Sequence, residues 1–139
     1  MSTRRFGQIQ SLHSNDCIQK PSNGRNPTGK VITTKCAIEV YGPQNFVAPP
    51  PEREGFIMTD ESVCLDVSSS NEHSSVLLIA CSEFDRQKWI FREAAQQIVH
   101  HKSNLCLTLS KRGTFLSITR CRRGYNRQRW TFVDKRWRQ

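Results

Sequence analysis

Short apolar runs, broken by polar and turn-forming residues, set the pattern of this chain. Val31-Ile32-Thr33-Thr34, Val76-Leu77-Leu78-Ile79 and Thr114-Phe115-Leu116-Ser117-Ile118 are rich in β-branched residues, have Gly, Ser and Lys nearby, and predict strands. Trp89-Ile90-Phe91 and Trp130-Thr131-Phe132-Val133 predict two more. Glu93-Ala94-Ala95-Gln96-Gln97 has helical propensity but is too short to stand alone. It reads as a turn into a strand at Gln97-Ile98-Val99. Asn23-Gly24, Pro27 and Gly29 are loop chemistry, and Ala48-Pro49-Pro50-Pro51 is linker chemistry.

The pattern recurs three times. Each unit has a Cys in a strand-like stretch, a second Cys 15 to 19 residues later, and Gln-x-aromatic soon after. The landmarks are Cys17, Cys36 and Gln44-Asn45-Phe46; Cys64, Cys81 and Gln87-Lys88-Trp89; Cys106, Cys121 and Gln128-Arg129-Trp130. The first cysteines are 47 and 42 residues apart, and the glutamines 43 and 41. The repeats run over about 6–50, 51–94 and 95–134, with an N-terminal extension at 1–5 and a basic tail at 135–139. Units of this size with about four strands each fit a trefoil or a propeller. Three blades do not close a propeller. The expected fold is therefore an all-β, three-unit β-trefoil, in which no unit buries a core alone.

Six cysteines allow 15 pairings. Only 17–36, 64–81 and 106–121 keep every bond within its unit. Such bonds point to an oxidising compartment; the alternative is six buried thiols in a reduced protein. There is no C-x-x-C, and His100-His101 has no ligand-spaced partner, so no zinc site is expected. Gln44, Gln87 and Gln128 are expected to satisfy backbone groups at a turn, with Phe46, Trp89 and Trp130 meeting in a common core.

Apolar residues make up 36% of the chain and mean hydropathy is −0.61, so staples would usefully supplement the core. No run approaches the roughly 18 apolar residues of a membrane span. No apolar stretch follows Met1, so no secretory signal is visible. The net charge of +9 is concentrated at one end: residues 101–139 hold eleven Lys and Arg against one acid, Asp134. Arg120, Arg122, Arg123, Arg127 and Arg129, with Tyr125, form one basic stretch; Lys135, Arg136 and Arg138 follow around Trp137. This is a surface for acidic peptides or sulfated glycans, or else a solvated basic face, or one that docks against another domain. Interleaved aromatics would suit single-stranded nucleic acid, but the expected disulfides argue against that partner.

Cys64-Leu65-Asp66, Cys81 and Gln87-Lys88-Trp89 resemble the repeated signature of ricin-type lectin domains, and units one and three match it in part. Through Gly7-Gln8-Ile9, the three cysteine pairs and its length, the chain resembles the C-terminal lectin module of polypeptide N-acetylgalactosaminyltransferases over residues 6–134. The resemblance implies recognition of GalNAc on O-glycosylated peptides, an attached catalytic domain, and a Golgi-lumen location. It implies no cofactor here; Mn2+ and UDP-sugar would belong to the catalytic domain. No nucleophile–base set is visible, so the chain reads as a binding module, not an enzyme.

A sugar-binding unit of that family uses the Asp of Cys-Leu-Asp, an aromatic two residues before the second Cys, a polar residue after it, and an Asn before the Gln. Unit one has Gln19, Thr34 and Pro43 for the Asp, aromatic and Asn; unit three has Thr108, Thr119 and Arg127. Unit two keeps Asp66, with Ile79 at the aromatic place, Ser82 after the Cys and Arg86 at the Asn place. Either Asp66 grips sugar hydroxyls, with Arg86 as donor and Phe84 or His73 as the apolar face, or Asp66 pairs with Arg86 and the trefoil is a structural or interaction module.

Overall fold

The computed structural model describes residues 4–21, 28–39, 41–59 and 62–135. The loop at Asn23-Gly24 and Pro27, the first three residues of the extension, and Arg136, Trp137 and Arg138 of the tail lie outside them. The described residues form strands and 3-10 turns, without an α-helix. Unit one holds β1 (Arg5–Ser11), β2 (Asp16–Gln19), β3 (Gly29–Lys30), β4 (Ile32–Lys35) and β5 (Phe46–Ala48). Unit two holds β6 (Gly55–Phe56), β7 (Val63–Val67), β8 (Val76–Ala80) and β9 (Lys88–Arg92). Unit three holds β10 (Gln97–His100), β11 (Cys106–Leu109), β12 (Leu116–Thr119) and β13 (Trp130–Asp134).

Each unit folds one hairpin: β2 with β4, β7 with β8, β11 with β12. The hairpins meet through β3 on β8 and through the bridges Ile32 to Phe115 and Ser75 to Ser117. The remaining strands join the units: β9 pairs with β10, a bridge links Val47 to Met58, and β13 closes on β1 from Gly7–Asp134 to Ser11–Trp130. This is the β-trefoil that the repeat predicts. The disulfides are Cys17–Cys36, Cys64–Cys81 and Cys106–Cys121, one per unit. Each closes a loop of 15 to 19 residues, contributing about 3 kcal/mol in the chain-entropy model.

One core serves all three units. Ile9, Ile57 and Ile98 form one buried set, Ile18, Leu65 and Leu107 a second, and Phe46, Trp89 and Trp130 a third. Strand alternation supplies these residues: in β8, Val76 and Leu78 are buried while Leu77 and Ile79 are half-buried. The two indoles donate from Nε1 to the Leu65 and Leu107 carbonyls, at 2.9 and 3.0 Å. The strand predicted from Thr114 starts later, at Leu116. The Ser110 hydroxyl accepts the Thr114 and Phe115 amides and holds them in the turn.

Two boundary residues belong to the body of the fold. Arg5, assigned by sequence to the extension, opens β1 opposite Ala48, and its guanidinium lies 4.7 Å from the ring centres of both Phe91 and Phe132. Lys135, assigned to the tail, is buried; its amide donates to Phe6 and its Nζ to the Ile38 carbonyl.

Gly7 lies where β1 meets β13, and a Cβ there would run into the Val133 carbonyl. The obstacle is backbone, which cannot rotate away. Gly7→Ala should cost about 3 kcal/mol and lower Tm by roughly 10 °C. A thermal melt within 2 °C of the parent (about 0.5 kcal/mol) would show that the closure between first and last units is looser than this contact demands.

Candidate functional site

Three 3-10 turns, at Gly42–Gln44, Asp85–Gln87 and Asn126–Gln128, each end on a buried glutamine. Each glutamine makes the same connections. Its Oε1 accepts the amide just after the second Cys: Ala37, Ser82 or Arg122, at 2.8 to 2.9 Å. Its Nε2 donates to the carbonyl just before that Cys: Lys35, Ala80 or Arg120, at 2.9 to 3.1 Å. A further Nε2 contact reaches the side chain three places into the motif: Gln19 Oε1 at 3.1 Å, Asp66 Oδ2 at 3.0 Å, or Thr108 Oγ1 at 3.2 Å. One amide thus pins both sides of the disulfide and orients the residue at the base of each subsite.

In unit two, the residue so oriented is a carboxylate. Asp66 is fully buried. Its Oδ1 accepts the Val67 amide at 2.6 Å, and its Oδ2 accepts Gln87 Nε2 and, at 3.1 Å, Arg86 Nε. Arg86 stays 44% exposed, so it stands between the carboxylate and solvent. Its guanidinium lies 5.4 Å from the Phe84 ring centre. Phe84, Arg86 and Asp66 therefore form one contact chain. Ile79 pairs with Cys64 across the hairpin and is half-buried beside Leu77, the cross-strand partner of Asp66. Ser82 contributes its amide to Gln87. His73 is not part of this group: it follows Glu72 into the wall of the neighbouring cavity in unit three.

The basic stretch is not one surface. Arg120, Arg122 and Arg127 line a cavity of about 230 Å³ together with Thr108, Thr119 and Tyr125. Arg123 and Arg129 line a different cleft, beside Ala94, Gln96 and Gln97. The turn at Asn126–Gln128 separates the two, because Arg129 leaves it in extended conformation and donates from Nε and Nη2 to Gln96 Oε1 at 3.0 and 2.6 Å.

Two features escaped the sequence reading. The residue three before each glutamine is aromatic: Tyr41, Phe84 and Tyr125. Its carbonyl accepts the glutamine amide and starts the turn. Phe84 is 56% exposed and Tyr41 46%, so rings stand at the subsite mouths. The aromatic-x-x-Gln spacing was visible as a fourth landmark. The other is His100, fully buried 5.0 Å from Trp89. Its Nε2 lies 2.7 Å from the Arg86 carbonyl, which can only accept, so Nε2 carries the proton and Nδ1 faces Ser103 Oγ at 2.7 Å. Burial lowers its pKa, against the pull of the Arg86 carbonyl and the Asp66 charge; His101 and Lys102 lower it further.

A folded pKa below the ordinary value of about 6.5 makes His100 stabilising above that pH, and the contribution is lost as pH falls through the lower folded value. Tm should decline as pH falls below about 6.5. His100→Gln should be less stable at pH 7 and show a flatter decline in melts at stepped pH. An unchanged slope in the variant would assign the pH dependence to other groups.

The chain matches the family described as ricin-type beta-trefoil lectin domain over residues 5–130. No curated protein matches the chain. Among solved structures, an agglutinin from Abrus precatorius superposes with a TM-score of 0.78 at 19% identity, over 96% of this chain and 49% of that one. GalNAc-T7, crystallised with UDP, GalNAc and Mn2+, gives 0.72 at 21% identity, over 94% and 22%. ThreeFoil, a designed threefold-symmetric protein, gives 0.78 at 17% identity, over 93% and 98%. The chain thus spans about half of the agglutinin and about a fifth of the GalNAc-T7 chain. At these identities the superpositions speak for the fold, and the family match carries the assignment: this chain belongs to the ricin-type β-trefoil lectin domains, which are carbohydrate-binding modules.

Proposed function

We propose that this domain recognises GalNAc on O-glycosylated peptides through its second repeat, and directs an attached polypeptide GalNAc-transferase catalytic domain in the Golgi lumen. Mn2+ and UDP-sugar would be held by that attached domain. The Asp66–Arg86 pair carries the reading. Of the three equivalent side chains, Gln19, Asp66 and Thr108, only Asp66 brings a carboxylate, and Gln87 and the Val67 amide hold it in one orientation. A carboxylate beside a guanidinium offers acceptor and donor to vicinal hydroxyls. The exposed Phe84 ring offers an apolar face. Arg86 must swing from Asp66 before a sugar reaches the carboxylate, and a shallow single-ring site offers few contacts, so affinity is on the order of millimolar.

Full burial of Asp66 favours a second reading, in which the pair is a structural ion pair and the trefoil serves as an interaction module.

The readings part in an NMR titration with GalNAc and with a GalNAc-threonine peptide. The first expects saturable shifts at the Asp66, Phe84 and Arg86 amides, lost in Asp66→Asn. A flat response at millimolar sugar leaves the interaction module standing.

A further inference from the structure

Arg86 and Arg127 occupy the same place in their repeats, immediately before the buried glutamine, but their surroundings are opposite in charge. Arg86 faces the Asp66 carboxylate at 3.1 Å. Arg127 faces a repeat in which that carboxylate is replaced by Thr108. Its Nη1 donates to the Ser110 carbonyl at 2.7 Å, which fixes a half-buried guanidinium and leaves its other N–H groups for a ligand. Among the described residues, Lys111, Arg120, Arg122 and Arg127 all line the same cavity and none is in an ion pair.

The floor of the cavity matches this charge. Thr108 Oγ1 donates to the Cys106 carbonyl at 2.9 Å, so Thr119 Oγ1, 2.7 Å away, donates to Thr108. Gln128 Nε2 donates to both hydroxyls. Both hydroxyl protons are thus used internally, and no carboxylate stands at the base of the cavity, where unit two has Asp66. The cavity is supplied with cationic donors and lacks a charged acceptor at its base. The one acid lining it is Glu72, which accepts the Arg120 amide at 3.1 Å and lies 3.8 Å from His73. The Arg120 amide lowers the Glu72 pKa most; desolvation opposes it, and the weaker pulls of His73, Arg120 and Arg122 add to the lowering, so Glu72 is ionised at neutral pH and partly offsets the cations.

We propose that the third repeat is a binding site for an acidic saccharide, whose sulfate or carboxylate group is gripped by Arg127 with Arg120 and Arg122. A guanidinium fork matches a planar carboxylate or two sulfate oxygens. The cavity, about 230 Å³, is below the size of drug-scale pockets and suits one sugar ring. Tyr125, half-buried in the wall with Arg122 5.5 Å from its ring centre, gives that ring an apolar side. A carbohydrate is favoured over an acidic peptide because the domain belongs to a carbohydrate-binding family and the cationic groups surround a pocket, not an extended groove. The site stands independently of the second-repeat reading, and Asp66→Asn should leave it intact.

Galactose 6-sulfate and N-acetylneuraminic acid are the two probes, titrated by NMR with galactose, inorganic sulfate and a hexaglutamate peptide as comparisons. At least one acidic sugar should saturate and shift the Thr119, Tyr125 and Arg127 amides; which one responds tells sulfate from carboxylate. Arg127→Gln should weaken it about tenfold and Arg120→Gln several-fold, the latter serving if the former is poorly folded. Glu72→Gln keeps an acceptor for the Arg120 amide and should tighten binding. Arg123→Gln, in the other cleft, should change affinity less than about twofold. The proposal is overturned if galactose or inorganic sulfate binds as well as both acidic sugars, if hexaglutamate outcompetes them, if neither acidic sugar binds, or if Arg123→Gln weakens binding as much as Arg127→Gln.

Discussion

The fold and its subsites both depend on one side-chain amide used three times. Gln44, Gln87 and Gln128 each tie the backbone on both sides of a disulfide-bonded Cys to the residue at the base of a subsite. A buried amide has two donors and an acceptor to satisfy, and the turn after the second Cys leaves the matching backbone groups open. Losing one glutamine would therefore orphan an N–H and a C=O as well as the subsite residue. The disulfide brings the strands together, and the amide sets the loop that follows.

Because this frame is constant, the residue it presents can change without changing the fold. Gln19, Asp66 and Thr108 all receive the same Nε2 donor. The amide tolerates any acceptor there, neutral or charged. The arginine before the glutamine then acquires its character from that acceptor: neutralised over Asp66 in unit two, left cationic over Thr108 in unit three. The chemistry of each mouth is set by a few side chains resting on an unchanged scaffold.

The architecture was legible because its determinants are local and repeated. Cysteine spacing and the Gln-x-aromatic landmark each occur three times in one order, and strands such as Val76–Ala80 alternate as a half-buried strand should. At the subsites, the alternatives for Asp66 and Arg86 stayed open in the sequence, because one spacing serves both an ion pair and a sugar fork. The basic stretch misled because adjacency in sequence is not adjacency in space: a three-residue turn sends Arg127 and Arg129 to different clefts. His100 was invisible as a participant because it meets the Arg86 carbonyl only when β10 of unit three packs against the turn of unit two. Arg5 was read as an extension because nothing in its neighbours announces Phe91 and Phe132, which are contributed by two other repeats.

Glu72 and His73 belong to the second repeat but wall the cavity of the third, where the His73 amide also donates to the Ile118 carbonyl. The boundary of a repeat is thus not the boundary of a cavity. In the history of such a domain, a substitution in one repeat would be felt by the ligand of the next, and three copies that began alike could not drift as independent lineages. Swapping whole repeats between relatives would, for the same reason, transplant the floor of a site without one of its walls.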